Sequence, residues 1–393
     1  MSTPSLSSSS SVASSAPSRA TDPRAPSRAT DPRAPSRATD PRAPIQALRP
    51  EVVAESCAID LRTARKVLAG VHQRAVDTIG APLPKNVRRI DVDAIAARYR
   101  VGRLAVVTRE ASAIDPFVKY VLEAEDGARL EAVRIPLEKA GRFVVCVSSQ
   151  VGCAIGCAFC ATGRLGLSRN LEAWEIVEQV RIVRRDLPPG ARVHGVVFQG
   201  MGEPLANVDR VIQAIEILHD PCGQAIDERA ITVCTVGVPS GIRRLAASGL
   251  RVRLGVSIAS ARREVRRSLV PVEKSNPLDE VLDAAAEFVR VTGDSPMFAV
   301  TPLAGINTTD ADADALGEIV RAFREKTGVA PRLSIVPYNS IGEGDPFARA
   351  SDAEADRFHA RLRAIGVPVV RRYSGGGDVA AACGQLVAKV TRA

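Results

Sequence analysis

Eight residues, Cys153 to Cys160, hold three cysteines in a C-x3-C-x2-C spacing. Thiolates this close can wrap one face of a cubane iron–sulfur cluster, since cysteine sulfur suits iron. They leave one iron without a protein ligand, a corner where a small molecule can chelate. Phe159, before the last cysteine, would shield one side. Zinc is the competing metal. Its structural sites take a fourth ligand and tend to use separated cysteine pairs, and no fourth cysteine or histidine falls inside the run.

Other residues could do chemistry, and each has a plainer reading by itself. Gly202 and Glu203 follow an apolar segment in GMGEP. The glycine lets backbone approach a ligand and the glutamate could accept from an ammonium or a ribose, or the segment is only a tight turn with an acid. Ser257 ends a predicted strand, either facing a ligand or satisfying backbone. Asn339 could bind a ligand or cap a turn. Cys146, Cys234 and Cys383 read in isolation as structural thiols, and Glu131 as a strand-edge acid. Cys57 and Cys222, with the four histidines, form no metal-ligand motif.

These residues need a scaffold. From about residue 146 onward, short apolar runs alternate with helix-period segments. Strands are expected at 143–148, 195–199, 230–235, 253–257, 297–301, 333–337 and 367–371, with helices between them. Ser351 is a plausible cap of the last helix. Such alternation indicates a parallel α/β sheet with ligands beyond the carboxyl ends of its strands. It does not separate a closed barrel, a partial barrel and a doubly wound sheet.

Ahead of this core lie a mainly helical accessory region, 45–107, and an extension, 108–145. In the extension an Asp126–Gly127 turn joins two runs as a β-hairpin before the entry strand. Residues 373–393 form a C-terminal segment with a Gly375–Gly377 run that can make a mobile loop. Residues 1–44 end in three copies of SRATDPRAP and have little to bury, so a disordered tail is expected.

The formal net charge of +9 favours a polyanionic partner without identifying one. Arg181, Arg184, Arg185, Arg262, Arg263, Arg266 and Arg267 offer local positive charge, as RNA contacts or as solvated helix faces. Aromatic residues are only 4% of the chain, so stacking platforms for bases should be sparse. There is no apolar signal core and no membrane-length apolar run. A cytoplasmic location and a monomer are expected, the reducing compartment suiting free thiols and a cluster alike.

The C-x3-C-x-F-C run resembles the radical S-adenosylmethionine (SAM) superfamily. The segments SSQVGC, NLEAWEIVEQV, GMGEPLAN, the PVEKSNPL region, IVPYN and GGDVAAACGQL occur in the order found in the radical SAM RNA adenine methylases. That resemblance spans roughly residues 115–389. It implies an α/β fold, a radical SAM partial (β/α) barrel behind a small mainly helical domain and a tail. It also implies a [4Fe-4S] cluster on Cys153, Cys157 and Cys160, with SAM near Gly202, Glu203, Cys234, Ser257 and Asn339.

In that family Cys383 matches the cysteine that is S-methylated, Cys146 the second catalytic cysteine, and Glu131 a carboxylate assigned acid–base work. The carbon carried by Cys383 is passed to an adenine, and a Cys146–Cys383 disulfide releases the product. The implied substrate is an adenosine of large-subunit ribosomal RNA, methylated at C2, with transfer RNA as a second substrate and flavodoxin or ferredoxin as electron donor. The alternatives are C8 methylation, another heteroaromatic substrate, or a non-catalytic iron–sulfur protein that binds RNA or senses redox state. Two departures affect the pocket. Ser257-Ile258-Ala259 replaces a Ser-Leu-His element, and Cys234 stands where a serine is common. The accessory region also lacks the aromatic, basic pattern associated with RNA positioning in the C2 enzymes.

Overall fold

The computed structural model describes residues 40–387. The expected disordered tail falls mainly on residues 1–39, outside that span, and the end of the C-terminal segment, residues 388–393, is outside it too. The tail boundary moves forward, because Ala43–Pro44 pair in parallel with Tyr99–Arg100.

The accessory region is helical as expected, with α1 (Pro50–Cys57), α2 (Leu61–Gln73) and α3 (Arg89–Arg98). Its own core contains Ile45, Val53, Val67, Leu68, Val71 and Ile95. The helix does not run unbroken from α1 into α2. Ala58 turns left-handed at φ +52°, and Asp60 then caps α2 by accepting from the Thr63 amide at 2.9 Å.

Ten strands build the main sheet among the described residues. They are β1 (Ala105–Ala111), β2 (Val118–Glu123), β3 (Arg129–Pro136), β4 (Arg142–Cys146), β5 (Arg192–Phe198), β6 (Ile231–Thr235), β7 (Arg253–Ser257), β8 (Met297–Val300), β9 (Arg332–Ile335) and β10 (Val369–Arg371). Their order in space is their order in the chain. β1 to β4 pair antiparallel, and β4 to β10 pair parallel. The first and last strands do not meet, so the barrel is partial. The expected hairpin is thus continuous with the core sheet. It carries an additional strand, β1, whose start lies inside the region read as helical.

Helices close the parallel connections: α4 (Ala173–Arg185), α5 (Val208–His219), α6 (Pro239–Ala246), α7 (Arg263–Leu269), α8 (Leu278–Thr292), α9 (Asp310–Thr327) and α10 (Asp352–Ala364). The strands alternate, as side chains on a pleated sheet must. Val196, Val233, Val256, Phe298 and Leu333 join the core with Val180, Ile215, Leu245, Val281, Val320 and Leu362 of the helices. Each such buried side chain contributes about 1.5–3 kcal/mol. The opposite face carries Cys146, Thr232, Cys234, Ser257 and Ala299, and several of these remain half-exposed. Ser351 caps α10 as expected, in a reciprocal pair with Glu354. No described helix is long and apolar enough to cross a membrane.

Candidate active site

The three clustered cysteines lie on the loop after Gln150–Gly152, which pairs with Leu167–Asn170. Backbone bonds pin this loop. The Cys153 amide donates to Gly166 O at 2.9 Å, that of Ala158 to Leu269 O at 2.9 Å, and that of Ala161 to Gly384 O at 2.7 Å. Glycines permit the close packing. A Cβ at Gly152 would stand 1.9 Å from Gly166 O, and one at Gly163 would stand 2.8 Å from Cys157 O.

All three thiols are half-exposed. Burial pushes the Cys153 thiol up to about 11, with further contributions from Glu203 and Cys160. Burial also pushes Cys157 up, followed by the fields of Cys160 and Cys153. Thiols this strongly coupled are relieved when they ionise onto a metal. Among the described residues no three His, Cys, Asp or Glu side chains close around a single ion. A cubane asks for a different arrangement, each thiolate on its own iron. A pinned loop with three sulfur donors fits that group.

The segment between β4 and this loop is polar and buried, and it holds the frame. Ser148 Oγ donates to Glu131 O at 2.6 Å and accepts from the Met201 amide at 2.9 Å. Gln150 Oε1 accepts from the Glu203 amide at 2.8 Å. Asn207 donates to Ser149 O and Leu171 O at 2.9 and 2.8 Å. Ser148, Gln150 and Asn207 were not singled out from sequence, although a polar run directly after an apolar strand is a signal.

Gly202 has φ +99°, and a Cβ there would come within 2.5 Å of the Gln150 Cβ, so the turn requires glycine. The buried Glu203 side chain accepts from the amides of Leu205 and Val236, both at 3.0 Å. Its field reaches Cys153, Cys157 and Cys234. Burial raises its carboxyl above the usual range, with those amides opposing.

Cys234 and Ser257 lie on the inner face at the carboxyl ends of β6 and β7. Gly255 leaves room beside Cys234, since a Cβ there would stand 3.0 Å from its sulfur. Ala259, in the position of the missing histidine, is buried at φ +58°. Asn339, after β9, donates to Ser374 Oγ at 2.8 Å and to Cys383 O at 3.3 Å.

The C-terminal segment is anchored in the structure despite its glycines. Asp115 accepts from the Gly376 amide at 2.8 Å and from the Tyr373 hydroxyl at 3.1 Å. Asp378 accepts from Ser112 Oγ and the Ala113 amide at 2.7 and 2.8 Å. Glu131 accepts from the Val387 amide at 3.1 Å, and Thr162 donates to Leu386 O at 2.6 Å.

Between these anchors water reaches Cys383. Protein nevertheless surrounds it closely enough that desolvation, then Cys160, push its thiol up to about 11. The buried Cys146 thiol is pushed up by burial, then by Cys383 and Cys234, and Cys234 is pushed up to about 12 by burial, then by Cys383. Cys383 therefore lies within electrostatic reach of Cys146, Cys234 and Cys160 of the cluster loop. Glu131 meets the same segment at the Val387 amide.

Two expected RNA-facing arginines are corrected. Arg181 is fully buried, paired with Glu178 and donating to Val71 O and Val76 O at 2.9 and 3.0 Å, so it fastens the accessory region to α4. Arg266 is equally buried, 2.7 Å from Glu273, and donates to Val236 O, Ser257 O and Ile258 O. Arg181 pairs with Glu178 on its own helix, but the carbonyls it satisfies, and all the partners of Arg266, lie on other elements.

A sulfur-lined loop and acceptor residues at the carboxyl ends of a partial barrel define a radical SAM site. Residues 147–320 match the Radical SAM superfamily model. The chain is 54% identical to "Probable RNA methyltransferase" of Sorangium cellulosum, over 86% of this chain and 90% of that one. It is 42% identical to "Probable dual-specificity RNA methyltransferase RlmN" of Gloeobacter violaceus, over 73% and 78%. A solved radical SAM methyltransferase from Sphaerobacter thermophilus superposes with a TM-score of 0.79 at 32% identity, over 88% of this chain and all of that one. The chain belongs to the radical SAM RNA methyltransferase family, enzymes that use a [4Fe-4S] cluster and SAM.

Proposed function

We propose that the enzyme methylates C2 of an adenosine in large-subunit ribosomal RNA, and that transfer RNA is a second substrate. The observation that carries this reading is the place of Cys383, an exposed residue whose thiol is turned among protein atoms, in electrostatic reach of both Cys146 and the cluster-loop residue Cys160. Cys153, Cys157 and Cys160 would hold the cluster, and Gly202, Glu203, Cys234, Ser257 and Asn339 would surround SAM. When bound, this pair supplies a methyl group and a carbon-centred radical, a route to an adenine carbon that is a poor nucleophile.

The chain's own residues do the rest. Cys383 Sγ carries the one-carbon unit to the base. Cys146 helps take the ring proton, then closes a disulfide on Cys383 as the methylated base departs. Asn339 holds the Cys383 carbonyl, and a base drawn from its stack would be brought to the two thiols. The electron donor would be a flavodoxin or ferredoxin, and the enzyme would act as a monomer in the cytoplasm.

Methyl-labelled SAM and ribosomal RNA fragments should give labelled 2-methyladenosine by mass spectrometry. Cys383→Ala should keep its iron and make no product. Product at the wild-type rate would end the two-cysteine reading, and label at C8 would overturn the regiochemistry.

A further inference from the structure

The inner face of the antiparallel strands carries a row of charge that includes Glu131. Glu110, Lys119 and Val133 pair in register across β1, β2 and β3, and Val133 pairs in turn with Cys146. Glu131, two residues from Val133, shares this face. Lys119 is buried at 4% exposure, with its Nζ 3.1 Å from Glu110 and 3.8 Å from Glu131.

An ammonium is seldom taken out of water unless it neutralises something that matters to the fold or the site. Here one of its two carboxylates is the fully buried Glu131, whose Oε2 holds the Val387 amide, four residues after Cys383. Asp115 and Asp378 grip the other end of the same segment, around Gly376. Strand β3 and the loop between β1 and β2 thus seat the two ends of the stretch that carries Cys383.

We propose that Lys119 is a positioning residue: its ammonium, 3.8 Å from the Glu131 carboxylate, orients that carboxylate, which clamps the Val387 amide and so holds the segment that carries Cys383. Without the ammonium the carboxylate loses this ion pair and holds the Val387 amide less firmly. This role rests on the proposed function for its catalytic consequence, while the clamp itself does not.

The test uses the full chain with Lys119→Met and Lys119→Arg. Amide hydrogen exchange in the peptide containing Val387 should rise about tenfold in Lys119→Met, the scale of a weakened charge-assisted hydrogen bond. Exchange in β6–β9 should stay unchanged. S-methylation of Cys383 in protein isolated from cells should fall by a similar factor, with kcat lowered and the KM for RNA unmoved. Lys119→Arg, which keeps the charge, should restore most of both effects.

Unchanged exchange at Val387 in Lys119→Met would overturn the clamp, as would failure of arginine to restore it. Exchange rising equally in every strand would overturn it in favour of a purely structural role. If the wild-type chain carries no methyl on Cys383, the proposed function falls, and the exchange comparison still decides the clamp.

Discussion

Replacing Arg266 by methionine keeps the length of the side chain and removes its charge. The guanidinium donates 2.7 Å to Glu273 and 2.7 Å to Val236 O, and bonds to Ser257 O and Ile258 O at 3.1 and 2.5 Å. It therefore ties together the carboxyl ends of β6 and β7, where the SAM-binding residues are expected. Breaking one partner of a buried pair costs about 3–5 kcal/mol, because the other charge remains buried. Glu273 would keep the Leu278 amide at 3.4 Å and Arg263 at 3.6 Å. Arg263 is itself half in water, so its help is small and the loss should lie near 3 kcal/mol. With a urea slope of about 3 kcal/mol/M, the midpoint should fall by about 1 M. Trp174, the one tryptophan, is buried on α4 and reports the transition by fluorescence. Arg266→Met/Glu273→Met should recover most of the loss, since apolar side chains fill the site without an orphaned charge. A single variant within 1 kcal/mol of wild type would refute this account, and a double variant weaker than the single would place the energy in the carbonyl contacts.

His72 makes stability depend on pH. Burial, then Arg181 and Arg184, pull its pKa down from 6.5 to about 3, so the folded chain keeps a neutral ring while the unfolded chain takes up a proton below 6.5. The contribution is complete above pH 6.5 and declines as pH falls towards 3. By pH 5 the loss amounts to about 2 kcal/mol, so His72→Leu should shrink the stability difference between pH 7.5 and pH 5 by that amount, and an unchanged difference in urea unfolding would reject the assignment. Gly152→Ala forces a Cβ to 1.9 Å from Gly166 O at φ +76°, beside the first cluster cysteine. Iron content per chain after anaerobic reconstitution should fall severalfold, and full loading would show that the loop relaxes without harm.

The legible parts of the fold are those whose signals are local. Ser351 announced the start of α10 because a serine cap and its Glu354 partner lie within one turn. The parallel core was visible because each buried strand is a short apolar run set between helix-period segments. β1 was missed because its side chains are mostly exposed and a register shift between Val106 and Thr108 breaks the alternation that marks a strand. The break between α1 and α2 was hidden because apolar spacing persists across Ala58, whose left-handed turn has no glycine to signal it. Arg181 could not be recognised as buried, since Val71 and Val76, whose carbonyls it satisfies, are more than a hundred residues away.

The same distinction divides the site. A cubane is small, so its protein ligands can come from one short loop, and C-x3-C-x2-C is readable without a fold. The thiol chemistry has no such economy of spacing. Cys146 ends β4, Cys234 lies on β6, and Cys383 belongs to a segment seated by Asp115, Glu131 and Asn339. No periodicity relates these positions, and each cysteine alone is an ordinary buried or loop thiol. Resemblance supplied Cys146 and Cys383, but it had nothing to say about what holds Cys383 in place. Glu131 of β3 and Asp115 of the loop between β1 and β2 make those contacts, which is the mechanical use proposed for the β extension. The extension and the C-terminal segment therefore form one device, and substitutions at its anchors should alter delivery of the methyl group while sparing the cluster loop.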